Sequence, residues 1–317
     1  DVLLINEFDY APGNAARLNE TYLGGAYRHV FEAPSNTGVA TGLDLNGDGE
    51  TATEGFAYAN DAQGFGLFEG QYGMAILSRL PIDRAAIRTF RTFLWADMPG
   101  ARLPVTEDGE SFYPDDALAI LRLSSKSHWD VPVVVGEARI HVLASHPTPP
   151  VFDGPEDRNG LRNADEIRFW ADYVQGAGYM HDDHGRSGGL PDGAHFVIAG
   201  DLNADPADGD SLPGAAQQIL DLDLVNTTLT PASAGGVEAA AQGGANEDHA
   251  GDPAFDTADF GDNPARFGPG NLRVDYVLPS ASLTLVDAGV FWPTDGPLAE
   301  DAAASDHRLV WIDVTLP

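Results

Sequence analysis

Short apolar runs rich in β-formers recur along the chain between polar stretches: Val2–Ile5, Met74–Leu77, Ala117–Leu123, Val131–Val135, Ile140–Ala144, His195–Ala199, Val274–Leu278 and Leu309–Val314. Each has the length of a strand rather than of a helix, so each predicts a β-strand. Helical periodicity is sparser. In Asn163–Val174, the residues Ile167, Trp170, Ala171 and Val174 fall on one face, which predicts an amphipathic helix; Gly214–Leu220 is a shorter one. Strands interleaved with few helices predict a layered α/β fold. No stretch reads as a linker between two cores, so the expectation is a single domain over residues 1–317. The polar segments Ser35–Gly70, His181–Gly193 and Ala232–Gly270 exceed ordinary connections, which marks them as functional or ion-stabilised loops.

Charge changes the picture more than composition does. There are 49 acidic and 17 basic residues, a formal net charge of −32, and Lys126 is the sole lysine. Such self-repulsion demands screening, and an Asp-rich, Lys-poor surface is the kind that stays hydrated in salty water, so the sequence predicts salt adaptation. The melting temperature should then be higher in molar salt than at about 0.01 M, where the screening length is about 30 Å; a flat salt response would remove this reading. A field of this sign repels nucleic acid unless cations intervene, and no basic, aromatic-interleaved patch is visible, so no stable nucleic-acid partner is expected. No apolar run approaches the roughly 20 residues of a membrane-spanning helix. With no cysteine, any metal must be held by oxygen or imidazole, and no disulfide is possible. The acidity and the absence of an initiating Met favour an extracellular or periplasmic location.

Polar residues cluster beside the apolar runs: Glu7 after the first, His146 after Ile140–Ser145, Asp201 and Asn203 after His195–Gly200, Asp275 inside Arg273–Tyr276, and Asp306 and His307 before the last. Polar groups at several strand ends converge on one rim of a sheet, where α/β folds build their sites. Taken singly, Asp201, Asn203 and Asp306 also read as turn formers, and His146 before Pro147 as a loop residue.

In their order along the chain, the segments DVLLINE (1–7), YGMAILSRLPI (72–82), HVLASH (141–146), VIAGDLN (197–203), RVDYV (273–277) and SDH (305–307) resemble the endonuclease/exonuclease/phosphatase superfamily, which includes DNase I, abasic-site endonucleases, bacterial sphingomyelinases and inositol polyphosphate 5-phosphatases. The resemblance implies a DNase I-like four-layer α/β sandwich of two packed mixed β-sheets flanked by helices. It also implies a metal-dependent phosphoesterase. Glu7 and Asp306 would lie at the divalent metal, Mg²⁺ or Mn²⁺. Asp201 would position or deprotonate the attacking water, and Asn203 would orient it. His307, paired with Asp275, would contact the scissile phosphate, and His146 would act as acid or as transition-state stabiliser. Attack on an anionic phosphorus needs cationic stabilisation and a base; a metal and two histidines meet the first need and Asp201 the second. The substrate is then a phosphodiester, in nucleic acid or another extracellular compound, or else a sugar or inositol phosphomonoester; the alternative is a non-catalytic calcium-binding module of the same fold.

The chain departs from the family pattern at its start. The family domain begins one strand earlier, with an Asn that touches metal and phosphate, and Asn6 does not replace it because it neighbours Glu7 on one strand and faces the other way. The expectation is that this first segment was cut off, comes from the same gene product or another chain, or is left out of the sequence. Met74 stands where many relatives have Asn, leaving Tyr72 as a weak phosphate contact. Arg162 is a second candidate for phosphate, or else an i,i+4 partner of Glu166. Asp44-Leu45-Asn46-Gly47-Asp48-Gly49-Glu50 has the oxygen spacing of half a calcium loop, although position twelve is Gly55. Asp44, Asn46, Asp48 and Glu54 are therefore either ligands of a structural Ca²⁺ in the 44–55 loop or a solvated acidic turn. Asp205–Asp210 and Asp248–Asp262 read as solvated charge. Phe93, Trp95 and Trp292 are core residues or a lipid-facing rim.

Overall fold

The computed structural model describes residues 1–266 and 268–317. Its strands are β1 (Val2–Phe8), β2 (His29–Glu32), β3 (Gly73–Ser78), β4 (Arg88–Thr89), β5 (His128–Val135), β6 (Ala138–Ser145), β7 (His195–Asp201), β8 (Ala258–Asp259), β9 (Asn271–Leu272), β10 (Asp275–Pro279), β11 (Thr284–Phe291) and β12 (Leu309–Thr315). They form a three-stranded sheet in the order β1-β3-β2, a five-stranded sheet β10-β7-β6-β5-β4, and the ribbons β11-β12 and β8-β9. The larger sheet is mixed, because β6 and β7 run parallel while their neighbours are antiparallel.

Side-chain alternation stacks these sheets. On β3, Met74 and Ile76 point inward and pack with Trp129, Val131, Val133, Val142 and Ala144 of the larger sheet. Ala75 and Leu77 point outward onto Ala15 of the helix Asn14–Tyr22. All six residues of β3 are buried, as a strand covered on both faces requires. The far face of the larger sheet carries Leu143, Phe196, Ile198, Tyr276 and Leu278, which pack against Ile167, Phe169, Trp170 and Tyr173 of the helix Arg158–Val174. Helix, sheet, sheet and helix make four layers, a DNase I-like sandwich.

Two sequence readings need correction and a third is decided. Ala117–Leu123 is not a strand: Pro114 at the N-cap and Asp115 and Asp116 in the first turn start a short helix, Asp115–Leu118, and carboxylates there suit the helix dipole. The amphipathic helix begins at Arg158, five residues before the predicted start. Phe93 and Trp95 are fully buried, so they are core and form no lipid-facing rim.

Candidate active site

The parallel pair β6-β7 and the antiparallel strand β10 bring three chain segments to one rim. Asp201 ends β7 and Asp275 opens β10, and the two are direct cross-strand partners. Like charges in that position repel. His307 enters just before β12, held by a bridge to Ala258, and its Nδ1 is 2.8 Å from Asp275 Oδ2. Its Nε2 lies 3.8 Å from Asp201 Oδ2. His146, one residue past β6, places Nε2 3.3 Å from the same oxygen. Asp201, Asp275 and His307 hold ligand atoms within 4.8 Å of one another, the one such metal-capable group among the described residues.

The backbone is shaped for this convergence. Gly200 has φ +146°, and a Cβ there would meet Ser145 O at 1.9 Å, so only glycine lets β7 approach β6 beside the rim. Asn203 is in the left-handed region, where its N–H donates to Asp201 Oδ1 at 2.8 Å. Its side-chain amide donates to Pro147 O at 3.2 Å. Glu7 and Tyr72 also have positive φ, and Glu7 falls where the β1-β3 register is broken. Strained non-glycine residues cluster at functional sites, and three of the five among the described residues are Glu7, Tyr72 and Asn203.

Electrostatics separates the two histidines. Burial works against a charged His307, but the Asp275 hydrogen bond and the charges of Asp275, Asp201 and Asp306 outweigh it and push the imidazole up to about 10. It is a cation at neutral pH. Burial, with the charges of Lys126 and His307, holds His146 well below its ordinary value, so it is neutral. This corrects the expectation of two cationic histidines. Asp201 is pushed up to about 7, first by burial and then by Asp275, against the pull of His307 and Lys126.

Lys126 and Thr257 are the contributors that motif reading missed. Lys126 lies just before β5, is 6% exposed, and donates to Pro147 O at 3.2 Å, the carbonyl that also takes the Asn203 amide. Burial holds the Lys126 pKa below the ordinary value, against the charges of Glu166, Asp201 and Glu7. Glu166 in turn accepts the N–H groups of Ser125 and Thr148, both at 2.6 Å. The signal was present in the sequence: one lysine in 317 residues, beside a strand of the site. Thr257 Oγ1 donates to Asp275 Oδ2 at 2.9 Å and accepts the N–H of Val274 and Asp275.

Other candidates fall elsewhere. Arg162 is buried, and its guanidinium donates to the carbonyls of Leu123, Gln63 and Arg122. It is spent on backbone, so it neither reaches a phosphate nor pairs with Glu166. Glu7 and Asp306 are exposed and lie outside the three-residue group. Tyr72 is half-buried. In the acidic turn, Asp44 accepts the N–H groups of Gly47 and Gly49, and Asp48 those of Glu50 and the Asn46 amide. Glu54 is the N-cap of the helix Gly55–Asn60 without a side-chain bond.

The model of the endonuclease/exonuclease/phosphatase family matches residues 1–307. The chain belongs to that family. Solved structures similar to this family member include an endonuclease/exonuclease/phosphatase from Beutenbergia cavernae, at 19% identity and TM-score 0.54, covering 100% of this chain and 62% of that one. A family protein from Leptotrichia buccalis has 14% identity and TM-score 0.50, covering 100% and 87%. Sphingomyelinase C from Streptomyces griseocarneus has 16% identity and TM-score 0.45, covering 99% and 82%. At these identities the likeness to the Beutenbergia and Leptotrichia proteins speaks to the fold alone. The chain spans 62% of the length of the Beutenbergia protein. No curated protein matches it.

Proposed function

We propose that this chain is a metal-dependent phosphoesterase that hydrolyses phosphodiesters by direct attack of water. The observation that carries the reading is the convergence of His307 Nε2 and the buried Asp201 Oδ2, 3.8 Å apart, where Asp275 favours the protonated imidazole and burial raises the proton affinity of Asp201. A base and a fixed cation then flank one position, which in-line hydrolysis of a phosphoester needs.

The residues suit a divalent cation. Asp201 and Asp275 repel across one strand pair, and His146, beside Asp201, has its Nδ1 buried without a partner. Glu7, whose charge reaches Lys126, is the carboxylate that would hold it beside the Asp201–Asp275 pair, with Asp306 acting on His307 from the solvent side. Hard oxygen donors favour Mg²⁺ or Mn²⁺. When bound, such an ion supplies Lewis-acid stabilisation of charge on the phosphoryl oxygens.

The chain's own groups do the rest. Asp201 accepts the proton of the attacking water. Asn203, freed from Pro147 O, orients that water. His307 donates from Nε2 to a phosphate oxygen, while Asp275 holds Nδ1 and Thr257 holds Asp275. His146 serves as a neutral hydrogen-bonding partner beside Asp201.

The test is hydrolysis of a chromogenic phosphodiester and its monoester with Mg²⁺, Mn²⁺, Ca²⁺ or chelator. Metal-dependent turnover of the diester, abolished by chelator, is the expected result. Turnover of the monoester alone would transfer the assignment to a phosphomonoesterase. Silence on both substrates with every metal, in a folded sample, would sink the catalytic reading and leave a cation-binding module.

A further inference from the structure

We propose that Lys126 is a positioning residue, which frees the Asn203 amide for the attacking water by holding the Pro147 carbonyl in its place. The inference rests on the phosphoesterase reading above and adds a residue which that reading leaves unused. Lys126 is the one lysine of the chain and is buried. Among the described residues it makes no ion pair; its Nζ donates to Pro147 O at 3.2 Å. A buried ammonium without a paired anion is costly, so its place on a backbone carbonyl calls for a reason.

The second donor to that carbonyl supplies one. The Asn203 side-chain amide reaches Pro147 O at the same distance, 3.2 Å, and a carbonyl oxygen with two lone pairs takes both donors. To turn toward the water, the amide must leave this oxygen. Pro147 is buried, and a buried carbonyl left without a donor disfavours such a move by about 10- to 100-fold. With Lys126 in place the carbonyl always keeps a partner, so the amide is released without that penalty.

The fold holds the three groups in register from one helix. Glu166 of the helix Arg158–Val174 accepts the N–H of Ser125, the residue before Lys126, and of Thr148, the residue after Pro147, both at 2.6 Å. Asn163 of the same helix donates to Thr148 O at 2.8 Å and to Leu202 O at 2.9 Å, immediately before Asn203. The backbone of Asn203 is fixed in turn by its N–H on Asp201 Oδ1, so only its side chain has to move. Nζ stays on Pro147 O whichever way that side chain turns.

Steady-state kinetics on the chromogenic phosphodiester, with wild type, Lys126→Met, Asn203→Ala and the double variant, test this. Lys126→Met should lower kcat about 10- to 100-fold and leave KM nearly unchanged, and Lys126→Arg, which keeps a charged donor, should recover most of the loss. In the Asn203→Ala background, Lys126→Met should cost little more, because the lysine acts through that amide. Losses that multiply across the two sites, or a change confined to KM, would overturn the proposal and leave the phosphoesterase reading standing. No turnover by folded wild type with any metal would remove both.

A second readout needs no activity and serves if the Met variant does not fold. With one lysine in the chain, isotope-labelled lysine gives a single side-chain ammonium signal by NMR. It should report a hydrogen-bonded, solvent-protected group in metal-free wild type and in Asn203→Ala alike. Exchange as fast as that of free lysine in either protein would overturn the proposal as well.

Discussion

Asp201→Asn should lower phosphodiester turnover by about 10²–10⁴-fold, the usual contribution of a positioned general base, while the fold persists. The amide keeps the shape of the carboxylate and its place opposite Asp275 but cannot accept the proton. The same variant should stabilise the metal-free protein at pH 8. Asp201 is raised from 3.8 to about 7 in the folded state; a carboxyl with a raised folded pKa favours folding fully below its unfolded value and loses that advantage as pH rises through the folded one. Metal-free wild type should therefore lose stability between about pH 4 and pH 7 on account of Asp201, by about 4 kcal/mol with the opposing attraction of His307 already included. The asparagine variant should lack that loss. Thermal unfolding in chelator at pH 5 and pH 8 reads this directly. An equal decline for both proteins would mean that Asp201 is ionised without strain, and unchanged turnover would remove it as the base.

Asp275→Asn should act through the other half of the pair. Without the carboxylate at Nδ1, burial prevails and the His307 pKa should fall from about 10 toward or below its ordinary value of 6.5. The sign follows from the raised folded pKa: in the wild type, the stabilisation from His307 is complete below about 6.5 and is lost only as pH rises through about 10. In the variant that loss should come near neutrality. The alkaline limb of kcat/KM should move down with it, so turnover at pH 8 should fall about a hundredfold and recover partly at pH 5.5. Imidazole titration by NMR of the metal-free protein, beside the pH–rate profile, checks both parts. An alkaline limb that stays in place would show that the His307 charge is not used.

How much of this was legible in the chain varies with the kind of contact involved. The strand-end motifs GDLN, RVDY and SDH pair short-range turn chemistry with strand alternation, so Asp201, Asp275 and His307 were readable as partners in a common family pattern. The four layers were readable only through the family resemblance; Met74–Leu77 predicted a strand, and the structure shows it covered on both faces. Ala117–Leu123 misled because an apolar run without flanking context does not distinguish a strand from a turn of helix; Pro114 and the two aspartates decide it. Arg162 misled for another reason. Its i,i+4 spacing to Glu166 is helical, but three carbonyls from distant loops surround the guanidinium.

By itself, then, the sequence determined the strand pattern, the family and the residue types of the site, since these rest on period-two alternation, local turn chemistry and motif order. Only the tertiary structure decided the protonation of those residues. His146 and His307 are both histidines beside Asp201, but one is enclosed next to Lys126 and the other is held by Asp275, so burial and neighbouring charge make one neutral and the other a cation. The same holds for the aspartates. Asp256 and Asp252 are four residues apart and chemically identical, yet one is buried and the other lies at the surface. Desolvation and Coulomb terms depend on what the fold packs around a group, and that information is spread over contacts tens to hundreds of residues away.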